Sequence, residues 1–273
     1  MPTSATARQL SMLIAVLAAI SSLGGLLLSG LYRDNLFVTS AWKGNDLVTL
    51  VIAVPALAVA LVLAARGSGR ATLIWIGLLD YTLYNFAFYL FGTAFNWFFL
   101  LYVALLGLSI FALIFALVNI DVPAISRHFR EGTPRGWVAG YMLVVAIGLS
   151  LVYIAQSVAF ILSGHLPSIV TQTGSHTSLV FALDLTLVIP FFALGAIWLL
   201  QRKPWGYVLA GFATVKGPLY TLVLTVDSLW GMKAGVPGVG GEIPLWLTLT
   251  VIGAVAGVLF YGSMDHGDRQ AVG

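Results

Sequence analysis

Asp80, Asp184, Lys216 and Asp227 fall inside stretches otherwise apolar enough to cross a bilayer. A charge at the centre of a spanning helix costs about 2.5–3.5 kcal/mol, so such residues are rare and face a bundle interior or a water-filled cavity. An aspartate set against a lysine offers three chemistries: a buried ion pair, a proton- or solute-binding centre, or a Schiff base with its counterion. Tyr84 and Tyr220 stand one helical turn beyond Asp80 and Lys216 on the same faces, where their hydroxyls can donate hydrogen bonds. Lys216, Tyr220 and Asp227 share one stripe, because the eleven residues from Lys216 to Asp227 make almost three whole turns. Asp80, Lys216, Tyr84, Tyr220 and Asp184 are therefore the candidate substrate- or proton-binding residues.

A second set, Asp46, Asn96, His165, His176 and Asp227, falls at the far ends of the apolar stretches or between them. It is expected to line an outward-facing vestibule. For any one of these residues the blander expectation is a solvated mouth residue or a helix cap, and Asp46 in "GNDLVTL" has the look of an N-cap.

The elements that must position these residues follow from composition. The 273 residues are 60% hydrophobic and 8% charged, against about 25% charged in soluble domains. Mean hydropathy is +1.00. The chain is all-α and polytopic, with eight apolar stretches long enough to span: roughly 9–30, 47–65, 71–92, 97–119, 137–162, 179–200, 206–229 and 243–262. The first is long for a signal h-region and no clear A-x-A site follows it, so it is expected to be retained as a helix. No cysteine is present, which removes disulfides and thiolate chemistry. The pI near 9.2 has no nucleic-acid motif beside it, and nucleic acid is not an expected partner.

Basic residues set the expected orientation. With the N-terminus in the cytoplasm, the inside segments hold Arg8, Arg66, Arg70, Arg127, Arg130, Arg135, Arg202, Lys203 and Arg269, and the outside segments hold Arg33, Lys43 and Lys233. Nine against three predicts both termini inside.

The chain also matches itself. "LSGLYRDNLFVTSAWKGNDLVTLVIAVP" answers "LSGHLPSIVTQTGSHTSLVFALDLTLVIP", ending at Pro55 and Pro190. "RGSGRATLIWIGLLDYTLY" answers "RKPWGYVLAGFATVKGPLY", which sets Asp80 on Lys216 and Tyr84 on Tyr220. Two parallel four-helix repeats are predicted, over 1–120 and 121–273, related by an axis along the membrane normal. Asp80 and Lys216 then lie about ten residues in from the same end, near the midplane, at equivalent positions. Pro55 and Pro190 are expected to kink the second and sixth spans.

"DLVTLVIAVP", "LYNFAFYLFGTAFN" and "RKPWGYVLAGF" resemble an uncharacterised family of bacterial multi-pass membrane proteins. The resemblance runs over most of the chain. It implies a bacterial cytoplasmic membrane location and carries no activity.

Several chemistries lack their residues. There is no HExxH, GxSxG or phosphate-binding loop leading into a soluble domain, so ATP-driven transport by this chain alone is not expected. "GVPGVGG" (235–241) reads as a flexible connector. Retinal is disfavoured: microbial rhodopsins have seven spans and an aspartate one turn before the lysine, where this chain has Phe212. No cofactor or metal is expected. The expected function is a secondary transporter or an ion or proton pathway, with its site between the repeats. The alternatives are a membrane enzyme or sensor with an outward pocket, or a structural subunit. The bilayer and a small solute or ion are the expected partners, and a homo-oligomer is compatible with this reading.

Overall fold

Inside hydrocarbon no water solvates the backbone, so a spanning segment must satisfy its own peptide groups, and the helix does this. In the computed structural model residues 4–265 are described; Arg269, counted above for orientation, lies outside them. Eight helices are long and apolar enough to cross a membrane: α1 (Ala5–Leu27), α2 (Leu36–Ala65), α3 (Gly69–Gly92), α4 (Phe99–Val118), α5 (Arg135–Ser163), α6 (Leu179–Leu200), α7 (Pro204–Ala234) and α8 (Val239–Gly262). The chain is an integral, multi-pass membrane protein. Lipid meets exposed apolar side chains such as Val51, Phe111, Leu151 and Val258.

Two helices stand apart by enclosure. Over an apolar 18-residue stretch of each, 78% of α3 and 67% of α7 is buried, against 22–33% for the others. They lie side by side at the centre; α2, α6 and α8 pack on α7, α2 and α4 pack on α3, and α1 and α5 pack mainly on those neighbours. Polar residues in α3 and α7 therefore face protein, which is where intramembrane charges are tolerable.

The largest departure from expectation is at α2. The stretch "YRDNLFVTSAWKGND" is expected as a connection, yet helix begins at Leu36. Asn35 starts it, its side chain accepting from the Val38 N–H at 3.0 Å. Asp46 is consequently no cap. It lies inside α2 and is fully buried. Lys43, assigned above to an outside connection, lies on the same helix. Ser40, Asn45 and Asp46 lower the hydropathy of this segment, but they turn toward other helices and not toward water. Asn35 also donates to the Gln172 carbonyl at 2.9 Å, tying the first connection to the one before α6. Asn35→Ala is expected to lower stability by about 1 kcal/mol, the usual value of an N-cap, read as a lower thermal midpoint in detergent. An unchanged midpoint would mean that the helix is started by packing alone.

Pro55 and Pro190 do mark irregular backbone. A proline inside a helix lacks its N–H, and its ring meets the carbonyl four residues earlier. In α2 the residues just before it, Thr49–Ala53, form a π turn, with the Val54 N–H bonded to the Thr49 carbonyl. In α6 the π turn is Asp184–Val188, with the Ile189 N–H bonded to the Asp184 carbonyl. The wider turn moves the backbone that the proline ring would otherwise strike.

Where α2 crosses α7 the backbones are very close. A Cβ on Gly44 would lie 2.7 Å from both the N and the Cα of Asp227, so glycine is what permits the crossing.

Candidate functional site

Lys216 sits in the thirteenth position of α7 and Asp80 in the twelfth of α3. Their side chains meet: Lys216 Nζ is 3.3 Å from Asp80 Oδ2, with the two side chains only 8% and 16% exposed. The other ion pair among the described residues, Arg130 with Asp265, is more than half exposed at the Arg-rich end of the bundle. The Lys216 ammonium also lies 4.2 Å from the centre of the Tyr84 ring, a cation–π contact that lowers the cost of its burial. Tyr220 meets the Tyr84 ring edge to face, at 4.9 Å between centroids.

Tyr84 extends the site. Its hydroxyl donates to Asp184 Oδ1, and the Tyr153 hydroxyl donates to Asp184 Oδ2 at 2.8 Å. Both oxygens of a 5%-exposed carboxylate are thus occupied by phenols from α3 and α5. Asp184 opens the π turn of α6, so the irregular backbone and the carboxylate coincide. The candidate residues Asp80, Lys216, Tyr84, Tyr220 and Asp184 form one contiguous cluster across α3, α6 and α7.

The second set does not gather round one hollow. Asp46 is buried in a clamp of the same kind, with the Tyr32 hydroxyl donating to Oδ2 and the Tyr89 hydroxyl to Oδ1 at 2.9 Å. Tyr32 lies between α1 and α2; burial pushes its phenol above its ordinary range, and the adjacent Asp46 adds to the shift, so it keeps the proton it donates. Asp227 abuts Gly44, and its Oδ1 is buried with no hydrogen-bond partner among the described residues. Asn96 is buried but serves its own turn, accepting from the Phe98 N–H and donating to the Ala94 carbonyl. Beside it, Asp34 accepts from the Ala94 N–H, and burial raises the pKa of its carboxyl. His165 and His176 are exposed in the connection between α5 and α6.

Several members are not evident from sequence reasoning. Tyr32, Tyr89 and Tyr153 hold the two carboxylates. Asn45 donates to Asn85, and Thr49 bonds Asn45 and Tyr81, which fixes α2 on α3. The available signal is the pair Asn45–Asp46 together with Asn85, amides inside or beside apolar runs. No group of three or more His, Asp or Glu among the described residues is placed to hold a metal ion.

Chemically, the cluster can hold a charge away from water and pass it between a carboxylate, an ammonium and phenols. No protein-family model matches this chain, and neither a curated protein nor a solved structure is significantly similar to it.

Proposed function

We infer that this membrane protein is a secondary transporter or ion pathway whose working centre is the Asp80–Lys216 pair, with the proton as the species that fits it best. The observation that carries this reading is the pair itself, a 3.3 Å ion pair halfway along the two most enclosed spans. Adding a proton to Asp80 ends the pair and leaves Lys216 on the Tyr84 ring, whose hydroxyl reaches Asp184. These are groups able to take up or release protons, gathered in one place. The proton is favoured over a larger solute because the best-formed hollows lie elsewhere, on the outer face of α5 and among helix ends of α1–α4.

The two π turns support the duplicated organisation, 1–120 and 121–273. From Thr49 to Asp184 is 135 positions, and from Asp80 to Lys216 is 136. A rare backbone form thus recurs at nearly the offset that pairs the charges. On this reading the site lies at the interface of two parallel repeats, and the arginine-rich end with both termini faces the cytoplasm of a bacterial cell.

The test is proton flux. Reconstituted in liposomes with an enclosed pH-sensitive dye, the wild type is expected to relax an imposed pH gradient. Asp80→Asn/Lys216→Met is expected to do so about a hundredfold more slowly, the low end of what a positioned proton-transferring group contributes. Wild-type liposomes no leakier than protein-free ones would overturn the pathway. Equal rates for wild type and double variant would remove the pair from it. A second reading, that the pair only fastens α3 to α7, is favoured by the low exposure of both side chains and is what equal rates would leave.

A further inference from the structure

A hollow of about 190 Å³ opens at the Arg-rich end of the bundle, among the last or first turns of α1, α2, α3 and α4. Arg8 lines it from α1, Ala64 from α2, Thr72 and Trp75 from α3, and Ala116 and Asn119 from the end of α4. Arg8 is half-buried, and among the described residues no carboxylate forms an ion pair with it. Among the described residues, the wall holds no acidic side chain. The nearest in sequence, Asp121, is exposed and uses its side chain to accept from the Ala124 N–H. The other polar side chains are engaged: Trp75 donates to Ser11, Thr72 to the Ser68 carbonyl and Asn119 to the Phe115 carbonyl. Arg8 thus brings a positive charge to a hollow whose described wall offers it no anion.

We propose that this hollow binds the phosphate of an anionic phospholipid headgroup. Its depth identifies the source. Helix ends lie at the headgroup layer, where basic pockets between spans take lipid phosphates. Arg66, two residues beyond Ala64 at the same end of α2, is exposed and adds positive charge to this end of the bundle. Leu63 and Val118, next in sequence to Ala64 and Asn119, are exposed and give the acyl chains an apolar surface to follow. A zwitterionic lipid carries an ammonium as well, and with no acidic side chain among the described residues of the wall that group gains nothing here. Selection is therefore for net negative charge.

Native mass spectrometry of the intact protein from mixed micelles tests this. Phosphatidylglycerol is expected to be retained about fivefold or more over phosphatidylcholine, the preference one arginine near the headgroups supplies. Arg8→Gln is expected to bring the ratio close to one, and Arg8→Lys to keep most of it. If Arg8→Gln does not purify as a folded protein, Ala64→Phe, which fills the hollow and leaves Arg8 in place, must also abolish the preference. Equal retention of the two lipids by the wild type overturns the proposal, as does an unchanged preference in either variant. Displacement of phosphatidylglycerol by inorganic phosphate at equal concentration would assign the hollow to free phosphate and overturn the lipid.

Discussion

Lys216→Met is expected to cost the folded protein about 3–5 kcal/mol, the usual penalty for leaving a buried charge without its partner. Asp80→Asn is expected to cost less, because Lys216 keeps its contact with the Tyr84 ring. The double variant is expected to recover most of either loss, since two neutral side chains leave nothing to compensate. Thermal unfolding of the four proteins in one detergent completes the cycle and isolates the coupling between the two positions. A double variant less stable than both singles would show that the charges are not held by each other. This readout is separate from proton flux. A pair can be strongly coupled in stability and idle in transport, and the two measurements together say which.

The second large effect belongs to Gly44. Its Cβ position lies 2.7 Å from backbone atoms of Asp227, and a backbone cannot rotate out of the way. Gly44→Ala therefore has to push α2 off α7, at about 1–3 kcal/mol by the usual cost of overpacking. Gly44→Val is expected not to give folded protein. Gly140 is the control: nothing lies within 4 Å of its Cβ position in the second turn of α5. Gly140→Ala is expected to be neutral or to stabilise by about 0.5–1 kcal/mol, as for any glycine inside a helix. If the two alanine variants melt together, the crossing of α2 and α7 is looser than this geometry.

The eight spans were legible because a bilayer-length apolar run is a coarse and redundant signal. The shared depth of Asp80 and Lys216 was legible for a different reason, though their contact was not. Similar depth in two helices, together with an internal match, places two charges at one level without any knowledge of side-chain direction. The first third of α2 was not legible. Hydropathy treats Ser40, Asn45 and Asp46 as loop-like, and only partners on other helices make them interior. The tyrosine clamps were hidden for the same reason. Tyr32 and Tyr89 approach Asp46 from 14 and 43 positions away, and no local spacing connects a phenol to a distant carboxylate. Nor does a proline announce whether it will bend a helix or be met by a π turn.

Those π turns have a mechanical consequence. An α-helix resists bending evenly along its length, whereas a wider turn with poorer hydrogen bonds is a soft spot. In α2 the soft spot begins three residues past Asp46, and in α6 it begins at Asp184 itself. Each carboxylate is thus mounted at the pivot of a lever, with the proline-bearing segment as one arm. Tilting that arm changes the aim of the carboxylate while the two phenols that hold it lie outside the arm. A small rocking of either span would therefore be felt first at its most deeply buried charge.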